Sequence, residues 1–178
     1  MSNYVVLARF GNQKDKEVMK LNTALSGAGY IISEWPFHIT MAAYENLDIN
    51  LLCEWTSEFA LMHKKQKISF SSVSILPPGG EHTETAVLCL NPAHSKKFVD
   101  FYYDFHEKYE EYCTGIGSLN SITEDQPIMH ATIATVGIKE MQKALELIFS
   151  ENVFGEAEMN ALEIYTYPMK MVKRFELM

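Results

Sequence analysis

Residues 4–10 are almost wholly apolar, rich in valine and leucine, and open into Gly11-Asn12, a pattern that predicts a buried strand. The period then changes. Over 15–28, Val18, Leu21 and Leu25 recur at i, i+3 and i+7 between charged positions, and Gly27 and Gly29 mark a stop, so a helix is predicted. A second strand is predicted over 37–44, behind Pro36. Asp48 then caps a helix with the apolar stripe Leu51, Trp55, Phe59 and Met62. Residues 67–76 read as a strand ending at Pro77-Pro78-Gly79-Gly80, the expected boundary between halves of roughly 1–80 and 81–178.

The second half repeats the order. Residues 85–90 predict a strand, and Asn91-Pro92 reads as a helix cap followed by proline at the first helical position. Phe98, Phe101, Tyr102, Phe105 and Tyr109 line the next helix, and the stripe reads as core packing. A polar loop over 114–126 leads to a strand over 129–136 and a helix over 139–149. Residues 158–167 and 170–177 close the chain as a hairpin around Pro168-Met169. Each half is thus strand, helix, strand, helix, strand. The expectation is one α/β (α+β) domain over 1–178 with two pseudo-symmetric lobes. Mainly antiparallel sheets would face a central groove, helices would lie outside, and the termini would exchange between lobes.

Composition narrows the classes. With 47% hydrophobic and 21% charged residues, the chain reads as soluble and globular. It has no run near the roughly 20 apolar residues of a membrane span, and no basic segment leading into an apolar stretch, so a cytoplasmic monomer is expected. The formal charge of −8 disfavours long duplex nucleic acid, whose binding rests on phosphate neutralisation, and leaves a nucleotide or short oligonucleotide as partner. Cys53, Cys89 and Cys113 are widely spaced and read as free thiols.

The chemistry lies on the middle strands, Phe37-His38-Ile39-Thr40-Met41-Ala42 and Met129-His130-Ala131-Thr132-Ile133-Ala134. Strand alternation sends Phe37, Ile39 and Met41, and likewise Met129, Ala131 and Ile133, into the core, and gives His, Thr and Ala the other face in both copies. One His-x-Thr means little, since a strand histidine is often only a hydrogen-bonding group. Matched polar pairs in both halves are not a packing requirement. Two imidazoles across a cleft suit phosphoester cleavage, one neutral as general base and one protonated as general acid. Thr40 and Thr132 would hold the non-bridging oxygens. The scheme requires neither metal nor cofactor.

These paired strands, each shortly after a proline, resemble those of the 2H phosphoesterase superfamily, which includes 2′-5′ RNA ligase-like proteins and cyclic nucleotide phosphodiesterases. The resemblance covers nearly the whole chain, including Val5-Val6-Leu7-Ala8 and Leu162-Glu163-Ile164-Tyr165, although only the histidine motifs are specific. It implies a bilobal fold, metal-independent cleavage of 2′,3′-cyclic phosphates or 2′-5′ linkages, and catalytic roles for His38, Thr40, His130 and Thr132. In the RNA-ligase branch an arginine commonly follows the second motif, whereas this chain continues Ala134-Thr135-Val136. Arg9, Lys170 or another basic residue would then take that phosphate contact, and a small cyclic phosphate or short oligonucleotide fits better than ligation or a large RNA. Tyr44, Tyr165 and Tyr167 are the candidates for stacking on a base.

Other classes are weaker on sequence. His63, His82, His94 and His106 lack zinc-ligand spacing, and His106-Glu107 reads as solvated helix surface. No Gly-x-Ser-x-Gly occurs, and Gly115-Ile116-Gly117 lacks the strand-to-helix setting of a nucleotide fingerprint. A nucleotide-binding module without turnover and an RNA 2′-5′ ligase stay open as alternatives.

Overall fold

The structure is a computed structural model that describes residues 3–78, 83–123, 127–167 and 169–178. Strand β1 (Asn3–Phe10) leads into helix α1 (Asn12–Gly27), followed by a two-residue strand β2 (Ile31–Ile32), β3 (His38–Glu45), α2 (Ile49–Met62) and β4 (Gln66–Leu76). The second half gives β5 (Thr85–Pro92), α3 (Lys96–Phe105), β6 (Ala131–Gly137), α4 (Met141–Ser150), β7 (Gly155–Tyr167) and β8 (Lys170–Glu176). The strand-helix-strand-helix-strand order is present in both halves, with β2 and β8 as additions. Gly79 and Gly80 of the expected boundary turn, and Pro168 of the hairpin turn, lie outside the described residues.

All eight described strands form one antiparallel sheet, ordered β2-β6-β5-β4-β7-β1-β3, with β8 paired to β7 off this path. This replaces two separate sheets with two wings of a single one. Without β2 and β8 the order is a palindrome: exchanging β1 with β5, β3 with β6, and β4 with β7 maps it onto itself. Each half therefore gives its third strand to the other's wing. The sheet curls far enough that β3 and β6 come into contact. That curl sets the two motifs against each other.

The main core lies between one face of the sheet and the helices. Val18, Leu21 and Leu25 of α1, Leu52, Trp55 and Phe59 of α2, and Phe98, Phe101, Tyr102 and Phe105 of α3 are buried there. The Asp48 carboxylate accepts from Asn50 N–H at 2.7 Å and caps α2 as the sequence predicts, a contact worth about 1 kcal/mol. Asn91-Pro92 does not cap α3. Strand β5 runs through both residues, paired with Ser72 and Phe70, and the cap is Ser95, whose hydroxyl accepts from Phe98 N–H at 3.2 Å. Helix α3 ends at Phe105, four residues before Tyr109, which adopts a left-handed φ of 67°. Among the described residues no helix is long and apolar enough to cross a membrane.

Candidate active site

Both histidine strands carry a β-bulge, and at the same place. Val6 pairs with Ala42 and Leu7 with Thr40, leaving Met41 as the extra residue. Leu88 pairs with Ala134 and Cys89 with Thr132, leaving Ile133. A bulge inserts one residue and reverses the alternation beyond it. Ile39 and Met41 point into the main core as expected, but so do Ala42 and, by the same phase change, Tyr44. Tyr44 is fully buried there, so it is no stacking surface, and Ala42 and Ala134 do not share the histidines' face. Ala43 occupies the outer face in their place, in a small cluster with Val5, Leu7 and Tyr165 against which Trp35 and Ile116 pack.

A cavity of about 410 Å³ opens over this cluster, lined among others by Trp35, His38, Thr40, Asn120, Thr132 and Tyr167. His130 is not part of the lining, yet it lies close enough for its charge to act on His38. The imidazoles are held alike. His38 Nδ1 donates to the Pro36 carbonyl and His130 Nδ1 to the Ile128 carbonyl, each two residues back and each at 2.6 Å. A carbonyl only accepts, so Nδ1 carries the proton in both rings, and Nε2 of the neutral ring is left with its lone pair. Burial lowers the His38 pKa from 6.5 to about 4; the Pro36 carbonyl opposes this, while Arg9 and His130 add to it. His38 is therefore neutral at physiological pH. The Thr132 hydroxyl rests on the Cys89 thiol, which burial raises to about 11.

Arg9, Lys170 and Tyr165 take other places than the sequence suggested. Arg9 does not line the cavity; its guanidinium donates to the Phe37 carbonyl and is ion-paired with Asp15 and Glu163 at 3.2 Å each. Lys170 is exposed and outside the lining. Tyr165 is buried behind Trp35, with ring centroids 5.5 Å apart, and its hydroxyl donates to Glu163 at 2.9 Å. Tyr167 does line the cavity.

Sequence reasoning missed Trp35, Ser33, Ile116 and Asn120, all in the lining. Trp35 had a signal, since it stands three residues before His38; its ring lies 5.9 Å from the imidazole. Ile116 and Asn120 arrive on the loop after α3, which no periodicity marks. That loop is pinned to β3: Glu45 accepts from Thr114 Oγ1 at 3.1 Å and from Ile116 N–H at 3.3 Å. It sits so close that a Cβ on Gly117 would come 1.9 Å from the Ala43 carbonyl oxygen. Only glycine allows this approach. Asn120 is nearly buried, and its amide donates to the Thr40 carbonyl at 3.5 Å.

His106 is not solvated surface as its position near a helix end suggested; it is 2% exposed beneath β3. Its Nε2–H donates to the carbonyl of the bulge residue Met41 at 2.7 Å, and its Nδ1 meets the Glu110 carboxylate. Burial pushes Glu110 up, but hydrogen bonds from Ser121 and His106 outweigh it and hold the carboxyl below its usual value. With the buried Cys113 thiol these two make the one cluster of metal-type donors among the described residues. Its His and Glu groups already serve as hydrogen-bonding struts between the loop and the bulge.

No protein-family model matches the chain and no curated protein is similar to it in sequence. Solved structures do match over its full length. The TT0787 protein of Thermus thermophilus aligns with a TM-score of 0.63 and 12% identity, covering 99% of this chain and 98% of that one. Usb1 of Kluyveromyces marxianus with uridine monophosphate gives 0.55 and 9%, and E. coli LigT complexed with NADP+ gives 0.56 and 9%, each over 99% of this chain and 98% of its own. The chain has the 2H phosphoesterase, or 2′-5′ RNA ligase-like, fold.

Proposed function

We propose that the protein is a metal-independent phosphoesterase that opens 2′,3′-cyclic phosphates, or cleaves 2′-5′ linkages, of nucleotides or short RNA. The observation that carries this reading is the pair of imidazoles with identical Nδ1 anchors, each two residues before a threonine on the same side of its strand. His38, neutral and with Nε2 free, takes a proton from the attacking water as its oxygen bonds to phosphorus. His130 gives one to the ribose oxygen as its bond to phosphorus breaks. Thr40 and Thr132 donate to the non-bridging oxygens, on which charge builds in the transition state.

The cavity's volume suits a nucleotide. Its described lining has no lysine or arginine, and neutral donors from Ser33, Thr40, Asn120 and Thr132 suit a phosphodiester with a single charge. Trp35, Ile116 and Tyr167 offer flat or apolar surface to a base, and Asn120 an amide to read its edge. The Usb1 structure with uridine monophosphate and the LigT complex with NADP+ lend support, since both relatives of this fold hold nucleotides.

The test is turnover of 2′,3′-cyclic AMP and of a short 2′-5′-linked oligoadenylate in the presence of EDTA. The expected result is product formation indifferent to the chelator, with His38→Ala and His130→Ala each lowering the rate by about 100-fold or more. Saturable binding without product would turn the reading into a nucleotide-binding module. Joining of RNA ends in place of cleavage would turn it into a ligase.

A further inference from the structure

The pseudo-twofold axis allows each residue of one wing to be compared with its mate in the other. Ala8 pairs with Ile39 as Leu90 pairs with Ala131, so Asn91 stands beside the second motif where Arg9 stands beside the first. Both reach the equivalent carbonyl oxygen of their motif. The Arg9 guanidinium donates to the carbonyl of Phe37, and Asn91 Nδ2 donates to the carbonyl of Met129 at 3.3 Å; these are the residues immediately before His38 and His130. Asn91 makes this bond although its Oδ1 is buried without a partner, a penalty that packing alone would not impose.

The mates differ in charge. Arg9 is 8% exposed and is the cross-strand partner of His38, with Asp15 of α1 and Glu163 of β7 as its counter-charges. Glu163 is shared in turn with Arg174 of β8, at 2.6 Å, and with the Tyr165 hydroxyl. Asn91 brings no charge to the second strand. Beside burial and the Pro36 carbonyl, the ionisable groups acting on His38 are Arg9 from β1, His130 ahead of β6 and Glu163 from β7.

We propose that Arg9 and Asn91 are matched positioning residues that clamp the two histidine strands, and that the fixed cation on one side alone divides the labour, making His38 the base and His130 the acid. This rests on the two-histidine reading above. In this scheme Arg9 does not touch the substrate. Its guanidinium adds to the burial that keeps a proton off His38 at rest, so the base is ready when substrate arrives, while the matching position beside the second motif carries a neutral amide.

The experiment is an NMR titration of the His38 ring in the substrate-free protein, for wild type, Arg9→Asn and Glu163→Gln, alongside pH profiles of kcat/KM for 2′,3′-cyclic AMP. Both substitutions break the same ion pair, so a purely structural role moves His38 the same way in both. Positioning through charge moves it in opposite directions: up by about one pH unit or more in Arg9→Asn, where a cation is lost and carboxylates are left unbalanced, and down in Glu163→Gln. The kcat/KM acidic limb should follow each shift, with kcat reduced and KM changed less than about threefold. Arg9→Lys keeps the charge and should leave the titration in place, and Asn91→Ala should lower kcat without moving the acidic limb. Shifts of the same sign, an unmoved His38, or a loss confined to KM in Arg9→Asn would overturn the proposal. The titration needs no turnover, so opposite shifts in a protein without activity would sink the catalytic reading and leave the positioning intact.

Discussion

His38 has a pKa of about 4 because the folded chain denies its cation water, and the sign of two pH dependences follows. If His38 is the base it must be neutral, so kcat/KM should hold as pH falls past 6.5 and decline only toward 4, well below where a free imidazole would place the limb. A limb near 6.5 would mean that His38 is solvated or is not the base. In stability terms, the unfolded chain binds this proton between pH 6.5 and 4 and the native chain does not. Stability from His38 is therefore complete above 6.5 and lost as pH falls through 4. The melting temperature of wild type should drop more steeply over that window than that of His38→Gln, and parallel curves would contradict the assignment. Residue type and matched spacing are what single out His38, Thr40, His130 and Thr132 in the sequence. The surroundings of His38 were not legible there, because they depend on its burial and on Arg9 and Glu163, which are distant in sequence from the motif and come beside it only through strand pairing.

At the scale of elements, the two bulges decide which side chains the site receives. Simple alternation from His38 puts Tyr44 in the groove, and the extra residue at Met41 sends it into the core and brings Ala43 out. No composition signal marks a bulge, so a reading of period two failed at that point and succeeded before it. Asn91-Pro92 misled for a related reason: a cap-like dipeptide was claimed by strand pairing, and Ser95 took the cap. The loop after α3 owes its place to Gly117. A Gly117→Ala substitution drives a methyl into the Ala43 carbonyl, and should cost about 1–3 kcal/mol of stability by overpacking. Because the same loop carries Ile116 and Asn120 to the cavity, KM for 2′,3′-cyclic AMP should rise more than kcat falls. An unchanged KM in a folded variant would show that the loop does not shape the substrate site.

Across the whole molecule, duplication was readable from element order, but its geometry was not. Exchange of β4 and β7 between halves, and closure of the sheet until β3 meets β6, are long-range pairings that local patterns do not encode. They bring together two matched halves, each with an imidazole, an anchoring carbonyl and a threonine. Such halves should fail as a unit. The most direct measurement is therefore the rate on 2′,3′-cyclic AMP of His38→Ala, His130→Ala and the double variant, compared with wild type. If the histidines are the acid and base of one reaction, each single change removes most of the catalysis and the double is little slower than either. Two small losses that multiply, or a rate that survives both substitutions, would contradict it.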